Sequence, residues 1–235
     1  MASLAVVLCV DFTACSKDND DLKRTKTILV KTAGTLSTLI PAEEIEQITN
    51  LTLSGYINGD DVRFIQKMYN LTKADFTDLH IIGGGGTYET YPDYEYKYTR
   101  DNVFPCVFDS RQRDVLNEIK LPNSITGIEE GAFRYCANLT SIEIPHSVTS
   151  IGAWAFNDCT SLTSIEIPNS VTSIGEWAFW DAGLKKIHVK NSTPPKIMNN
   201  TFSTYAYVTL YVPVGSKENY TEHQIWRKFN IIEEQ

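Results

Sequence analysis

The feature that most constrains the fold of this chain is a long internal repeat. Residues 139–160 are LTSIEIPHSVTSIGAWAFNDCT and residues 162–183 are LTSIEIPNSVTSIGEWAFWDAG, identical at 17 of 22 positions. The two copies begin 23 residues apart, at Leu139 and Leu162. A fixed period of this length is typical of stacked architectures, in which each unit contacts only its neighbours. The repeat therefore predicts a solenoid.

Each unit carries apolar residues at the same positions, which we number from its leading leucine. Positions 1, 4, 6, 10, 13 and 18 are apolar in the three central units, which begin at Leu116, Leu139 and Leu162. The first six positions alternate like a half-buried strand and match the L-x-x-L-x-L head of leucine-rich repeats. A proline, which has no N–H for a sheet ladder, ends each strand, at Pro122, Pro145 and Pro168. The prediction is a leucine-rich repeat solenoid of short parallel strands, stacked at period 23 and joined by irregular or short helical return arcs.

The same phase extends outward to eight rungs, from about residue 25 to residue 213. Weaker copies of position 1 occur at Thr25, Ile48, Leu71, Leu184 and Tyr207. Terminal rungs would expose the core, so both ends need a cap. Residues 33–47 are predicted to cover the first rung. Residues 214–235 are predicted to form the C-terminal cap of a repeat domain spanning 25–235, with a helix N-capped by Ser216 and an apolar side of Tyr220, Ile225 and Trp226.

The first fifteen residues differ from the rest of the chain. Residues 4–15, LAVVLCVDFTAC, form an apolar run that ends in small residues and a cysteine, and the acidic segment SKDNDD follows. This order is a signal-peptide pattern, and FTAC resembles a bacterial lipobox, whose cysteine becomes acylated. Residues 1–15 are therefore predicted to be a lipoprotein signal peptide with Cys15 as the lipid attachment site, and residues 16–24 a tether. An ordinary cleaved signal or a frayed terminus is the alternative.

One insertion interrupts the repeat. Leu71 and Leu116 lie 45 residues apart, and the extra length falls in residues 82–102, IGGGGTYETYPDYEYKYTRDN. Four successive glycines disfavour a strand or a helix. Tyrosines supply large contact area at low entropic cost in binding loops, and this insert holds Tyr88, Tyr91, Tyr94, Tyr96 and Tyr98. The insert is predicted to be a protruding ligand-contact loop, or else a tolerated insertion whose tyrosines pack on the solenoid flank.

Two further surfaces follow from the repeat. Trp154 and Trp177 share position 16 and should stack, either as a ligand-binding aromatic surface or as half-buried packing. Outward positions 3 and 5 of the strands form a lane of short, mixed charges without an aromatic anchor. Solenoids use such concave faces for partners, but a plain solvated sheet face is the simpler interpretation.

Composition and spacing exclude several classes of function. The formal net charge is -8, whereas nucleic acid binding needs a basic face, so nucleic acid is not an expected partner. The cysteines and histidines show no metal-ligand spacing, and no nucleophile, base and orienting group can be proposed together. We expect no enzyme activity, no cofactor and no metal. Cys136 and Cys159 lie one repeat apart, a spacing that fits a disulfide, but Ala182 in the next unit favours buried thiols.

The central units, with the pattern L-T-S-I-E-I-P-x-S-V-T-S-I-G-x-x-A-F-x-x-C, resemble the BspA-like leucine-rich repeat family of Bacteroides-type cell-surface lipoproteins. The resemblance is specific in residues 116–183 and extends to TPP at 193–195 and TLYVP at 209–213. It implies a lipid anchor in the outer membrane, facing the cell surface or the periplasm. It also implies a binding or adhesion function toward a host or cell-surface protein or glycan. The alternative is an accessory or structural subunit of an outer-membrane nutrient-uptake complex.

Overall fold

A computed structural model describes residues 24–90, 95–108 and 113–234, without the side chains of residues 90, 95 and 96. The predicted signal peptide with Cys15, and the predicted tether up to residue 23, lie outside the described residues. In chain order the elements are β1 (Thr25–Val30), α1 (Leu36–Leu39), a 3-10 helix (Ala42–Gln47), β2 (Asn50–Ile57), α2 (Gly59–Ile65), β3 (Lys73–Asp75), β4 (Leu79–Ile81), β5 (Gly84–Thr90), β6 (Glu95–Thr99), β7 (Val103–Phe104), β8 (Glu118–Lys120), β9 (Gly127–Ile128), β10 (Ser150–Ile151), β11 (Ser164–Ile167), β12 (Ser173–Ile174), β13 (Lys186–Val189), β14 (Thr209–Pro213), α3 (Lys217–Glu222), a second 3-10 helix (Trp226–Lys228) and β15 (Asn230–Glu234).

The chain folds as the predicted leucine-rich repeat solenoid, with its strands stacked in parallel. One ladder runs β1, β2, β3, β8, and another runs β11, β13, β14, β15. A third ladder joins the short strands of the return arcs in the order β7, β9, β10, β12. Ser150 pairs with Ser173 in this third ladder, which confirms the period of 23. In the described part of the chain, residues 141–144 join neither β8 nor β11, so the strand predicted there is not present.

The inward positions of the repeat form one continuous core. Positions 1, 4, 6, 10, 13 and 18 of the three central units are at most 8% exposed. One row of this core is a phenylalanine ladder, in which successive ring centroids lie 5.2–5.3 Å apart and the rings are stacked, made of Phe104, Phe133, Phe156, Phe179 and Phe202. Each rung therefore buries its own arc against the arcs on both sides.

The first rung departs from the predicted register. Extending the 23-residue phase would pair Ile28 with Leu51, but Ile28 pairs with Leu53 and Val30 pairs with Gly55. Gly55 has a φ of +88°, and a Cβ there would lie 2.2 Å from the carbonyl oxygen of Val30. Glycine is needed for β1 to approach at this point. The shift of two residues keeps the same face of β1 inward, because strand side chains alternate.

The C-terminal segment combines the predicted helix with an additional strand. Tyr220, Ile225 and Trp226 are buried, as expected, and the indole N–H of Trp226 donates to the carbonyl oxygen of Pro195 at 2.9 Å. The hydroxyl of Ser216 donates to the carbonyl oxygen of Pro213 and does not cap α3. Strand β15, which the sequence pattern did not predict, pairs in parallel with β14 and adds a further rung.

Cys136 and Cys159 are buried free thiols, so the interpretation that Ala182 favoured is confirmed. Burial raises the pKa of Cys136 to about 12 and also raises the pKa of Cys159. The thiolates are therefore unavailable as nucleophiles near neutral pH.

These thiols predict a loss of stability in alkali. The unfolded thiol titrates near its ordinary pKa of 9.0, whereas folded Cys136 holds its proton to about 12. Its contribution is thus complete below pH 9.0 and is lost as the pH rises toward 12, at about 1.4 kcal/mol per pH unit for each thiol. Urea unfolding across this range measures the slope. The Cys136→Ala/Cys159→Ala variant should show a shallower slope than wild type, and equal slopes would contradict the prediction.

Candidate functional site

In each central repeat, two residues adopt a positive φ. Position 16 is occupied by Gly131, Trp154 and Trp177, with φ of +66°, +59° and +53°. Position 20 is occupied by Tyr135, Asp158 and Asp181, with φ of +66°, +59° and +54°. Glycine adopts this conformation at no steric cost, whereas a bulky residue is an outlier that costs about 1–2 kcal/mol. The tryptophans therefore stand where the backbone favours glycine.

Trp154 and Trp177 stack as the sequence predicted. Their ring centroids lie 4.4 Å apart at an interplanar angle of 19°, and both side chains are half-buried. An aromatic pair contributes about 0.5–1.5 kcal/mol beyond its buried area. The stack thus offsets part of the backbone strain of two left-handed residues and leaves part of both indoles at the surface.

Arg134 extends this stack toward the N-terminal rungs. Its guanidinium carbon lies 4.3 Å from the ring centroid of Trp154 and 4.9 Å from that of Tyr135. Its Nε donates to Oδ1 of Asn157 at 3.0 Å, which holds the guanidinium in place. Asn157 in turn donates to the carbonyl oxygen of Trp180 at 2.8 Å. We call this surface the aromatic corner, made of Arg134, Tyr135, Trp154 and Trp177.

Carboxylates border the aromatic corner on the C-terminal side. Asp158 is half-buried, and its backbone N–H donates to the carbonyl oxygen of Trp180 at 2.9 Å. Burial and the negative charge of Asp181 one rung away raise the pKa of Asp158. Arg134 acts in the opposite direction on that pKa. The surface therefore combines aromatic rings with the carboxylates of Asp158 and Asp181, whose negative charges repel each other.

The tyrosine insert is an antiparallel hairpin, not an open loop. Strand β5 begins at Gly84 and pairs with β6, so three of the four glycines, which were expected to disfavour a strand, lie in one. The glycines are needed because the hairpin packs directly on α2. A Cβ on Gly86 would lie 2.6 Å from Oδ1 of Asp60, and one on Gly85 would lie 2.6 Å from Cγ of Asn58.

The five tyrosines of the insert do not share one environment. Tyr88 is fully buried and its hydroxyl donates to the carboxylate of Glu129, so this residue packs on the solenoid flank and is not available to a ligand. Tyr98 is 61% exposed. Tyr91 and Tyr94 lie outside the described residues, and the described part of Tyr96 is its backbone in β6.

The base of the hairpin is held by a polar network that the sequence pattern did not reveal. Glu129 is buried, and its carboxylate also accepts the backbone N–H of Cys106 at 3.3 Å. The side-chain amide of Gln66 donates to the carbonyl oxygens of Glu89 and Cys106 at 2.8 and 3.0 Å. A signal was present in the repeat, because Glu129 occupies position 14, where the next two units carry Gly152 and Gly175. The exception to the repeat marks the rung that receives the insert.

The outward side chains at positions 3 and 5 of the strands form ion pairs across rungs and are exposed to solvent. Lys73 bonds Glu118 at 3.1 Å, and Lys120 bonds Asp75 at 2.8 Å across neighbouring rungs. Exposed pairs of this kind contribute about 0–1 kcal/mol each. A shallow cleft opens where the ladder is interrupted, lined by Glu118, Ile119, Lys120, Ser141, Ile142 and Glu143. The lane has charge but no aromatic anchor, which makes the aromatic corner the stronger binding candidate.

Within the described residues, no group of three or more His, Cys, Asp or Glu side chains could hold a metal ion. The described helices include none that is long and apolar enough to cross a membrane.

Comparison with known proteins finds a family model that matches part of this chain. The model of the BspA-type leucine-rich repeat region matches residues 106–213 with six copies. Leucine-rich repeat proteins of this kind are typically non-enzymatic binding scaffolds, and BspA-type members are often exposed at the cell surface. No curated protein sequence matches the chain.

Several solved bacterial leucine-rich repeat structures are similar. A T. pallidum leucine-rich repeat protein has 17% identity and a TM-score of 0.35, covering 80% of this chain and 56% of that one. A leucine-rich repeat protein from Eubacterium ventriosum has 18% identity and a TM-score of 0.40, covering 72% of this chain and 43% of that one. The pneumococcal vaccine antigen PcpA has 16% identity and a TM-score of 0.35, covering 80% and 68%. The chain thus spans about half the length of the first two proteins.

Proposed function

We propose that the protein, whose residues 106–213 match the model of the BspA-type leucine-rich repeat region, binds a host protein or glycan at the cell surface without catalysing a reaction. Recognition is non-covalent and is centred on the aromatic corner. The tyrosine hairpin, whose base contacts Glu129 and Glu130, lies on the return arc that continues into Gly131 and Arg134. The proposed contact surface also includes Tyr98 of this hairpin, which is 61% exposed.

The observation that carries this proposal is the conformation of Trp154 and Trp177. Both are bulky residues at a left-handed position that Gly131 fills in the preceding unit. Strain in such residues persists where the surrounding structure enforces it, and it concentrates at functional sites. Tryptophan, tyrosine and arginine are also the residue types enriched at binding hot spots. A scaffold that needed only to fold would be served by glycine at this position.

Anchoring in the outer membrane completes the proposal. A thioether-linked lipid on Cys15 would hold the chain at the membrane, with residues 16–24 as the tether. Incorporation of a labelled fatty acid by wild type, and its loss in Cys15→Ser, is the direct test. Labelling that survives the substitution would place the lipid elsewhere or refute the anchor.

The binding site is tested by removing the two indoles while keeping the fold. Trp154→Gly/Trp177→Gly returns position 16 to the residue found at Gly131. Relief of strain, about 1–2 kcal/mol at each residue, opposes the loss of the stack, about 0.5–1.5 kcal/mol, and of the partly buried indole area, so the unfolding free energy should change by less than about 2 kcal/mol. Binding to an array of extracellular-matrix proteins and glycans should fall about 100-fold, as expected for two hot-spot residues.

The matched control is Tyr207→Ala, which removes an aromatic side chain that is 89% exposed elsewhere on the chain. It should bind as wild type does. A ligand that binds the double tryptophan variant with unchanged affinity would refute the aromatic corner as the site. A second variant, in which a Gly-Ser link replaces residues 84–100, measures what the hairpin adds to the same ligand. If nothing on the array binds wild type and a stoichiometric membrane partner co-purifies instead, the protein is a subunit of an uptake complex.

A further inference from the structure

The two ends of the solenoid carry strand edges that complement each other. Strand β1 lies at the end of one ladder and β15 at the end of another, and each pairs with a described strand on one side only. We propose that β15 of one copy of this chain pairs in parallel with β1 of a second copy, so that copies join head to tail. The partner at both edges is the chain itself, and this assembly does not depend on the ligand proposed above.

The direction of the strands permits this pairing. β1 pairs in parallel with β2, and β15 pairs in parallel with β14, as the strands of the other rungs do. The unpaired N–H and C=O groups of an edge strand favour the addition of a further strand. A second copy supplies that strand in the orientation needed, because β1 and β15 belong to one stack of parallel strands. The added strand would lie at the usual spacing of about 4.8 Å.

The apolar side chains of the two strands select one register for this contact. Ile28 and Ile231 both pack toward the core of their own rungs. Aligning these two residues places Leu29 opposite Ile232 on the outward face, because strand side chains alternate. Leu29 is 55% exposed and Ile232 is 42% exposed. Each of these exposed aliphatic side chains would therefore cover the other, which removes apolar area from water at both ends of the chain.

The charges at the ends of these strands agree with the same register. Lys31, which directly follows β1, would lie opposite Glu234, the last residue of β15. Opposite charges on paired strands stabilise a sheet. A shift of two residues would also keep the inward face inward, but it would place Lys31 opposite Ile232, or Leu29 opposite Glu234. Both alternatives set a charge against an aliphatic side chain, so the first register is favoured.

The C-terminal edge is fixed by polar contacts before any partner binds. The carboxylate of Glu233 accepts the backbone N–H groups of Gly215 and Lys217 at 2.9 and 3.0 Å. The carboxylate of Glu234 accepts the ammonium of Lys190 at 3.0 Å. These contacts hold the end of β15 against the segment that begins α3 and against the end of β13. An edge that is already ordered loses less conformational entropy when it binds.

Sedimentation equilibrium of the full chain carrying Cys15→Ser, in which no lipid on Cys15 can drive association, tests the assembly. The weight-average mass should rise with concentration up to about 1 mM and pass beyond a dimer, because a head-to-tail contact leaves an edge open at each end. Leu29→Lys and Ile232→Lys, each at an exposed side chain, should each lower the association constant about tenfold. The matched control is Met198→Lys, at a position that is 51% exposed between the two ends, and it should have no effect.

Mixing the two lysine variants separates this assembly from others. Leu29→Lys keeps the β15 edge and Ile232→Lys keeps the β1 edge, so the mixture should form dimers with the affinity of the parent chain and grow no further. A parent chain that stays monomeric up to about 1 mM, or a mixture that does not dimerise, would overturn the proposal. So would a defect confined to Leu29→Lys, which would indicate a closed dimer of two β1 edges. Hydrogen-exchange protection of β1 that is independent of concentration would assign its edge to the N-terminal residues of the same chain and would also overturn the proposal.

Discussion

Replacing Phe156 with alanine is expected to lower the free energy of unfolding by about 3–5 kcal/mol. Phe156 is fully buried at the centre of the phenylalanine ladder, stacked at 5.2 Å on both Phe133 and Phe179. The substitution removes the buried ring and leaves a cavity that neighbouring rungs cannot close, because each is held by its own ladder hydrogen bonds. In a solenoid, the free energy of unfolding is approximately the sum of the stabilities of the rungs and of the interfaces between neighbouring rungs. The substitution therefore weakens the interfaces with the rungs on both sides.

Urea unfolding followed by circular dichroism measures this effect. Tyr207→Ala, at a position that is 89% exposed, is the control and should change the unfolding free energy by less than about 0.5 kcal/mol. A loss below about 1.5 kcal/mol for Phe156→Ala would show that the rungs collapse into the cavity, contrary to a tightly stacked core.

Replacing Gly59 with alanine is the second change with a large expected effect. Gly59 is the first residue of α2, and alanine has a higher helix propensity than glycine. A Cβ at this position, however, would lie 1.9 Å from the carbonyl oxygen of Gly86 in β5. Neither the Cβ nor the backbone carbonyl oxygen can rotate away from this contact, so the hairpin must move away from α2. We expect the unfolding free energy to fall by about 3 kcal/mol, since moving the hairpin disturbs the buried contact of Tyr88 with Glu129.

Hydrogen exchange locates this effect, because it should rise in β5 and β6 while the central rungs keep their protection. Gly83→Ala is the matched control from the same glycine run. A Cβ on Gly83 meets its nearest atom, Oδ1 of Asp101, at 3.4 Å, an ordinary contact, so stability should hardly change. Stabilisation by Gly59→Ala would mean that helix propensity outweighs the contact and that the hairpin does not rest on α2.

The candidate site could be predicted in part. Trp154 and Trp177 were expected to stack because they share one repeat position, and stacking follows from the period alone. Arg134 was not identified, although it occupies the repeat position of Asn157 and Trp180. Its role depends on the direction in which a long, flexible side chain turns, and residue spacing does not contain that information.

The tyrosine insert shows a second limit of prediction from the sequence. Residue types indicated a tyrosine-rich binding loop, and the structure buries Tyr88 completely against Glu129, 41 residues away in sequence. A glycine run ordinarily disfavours a strand, but here glycine lets β5 approach α2 closely. Both outcomes arise from contacts outside the repeat phase, and local propensity gives way where tertiary packing decides.

By itself, the sequence determined the solenoid, its period, its inward residues and the stacked tryptophans, because each is dictated by apolar positions that recur at a fixed spacing. Only the tertiary structure decided the register of β1, the hairpin and the pairing of β15. It also decided the placement of Arg134 over Trp154. These features depend on close approach between segments that the repeat does not relate, where a single missing Cβ or a buried carboxylate selects the arrangement.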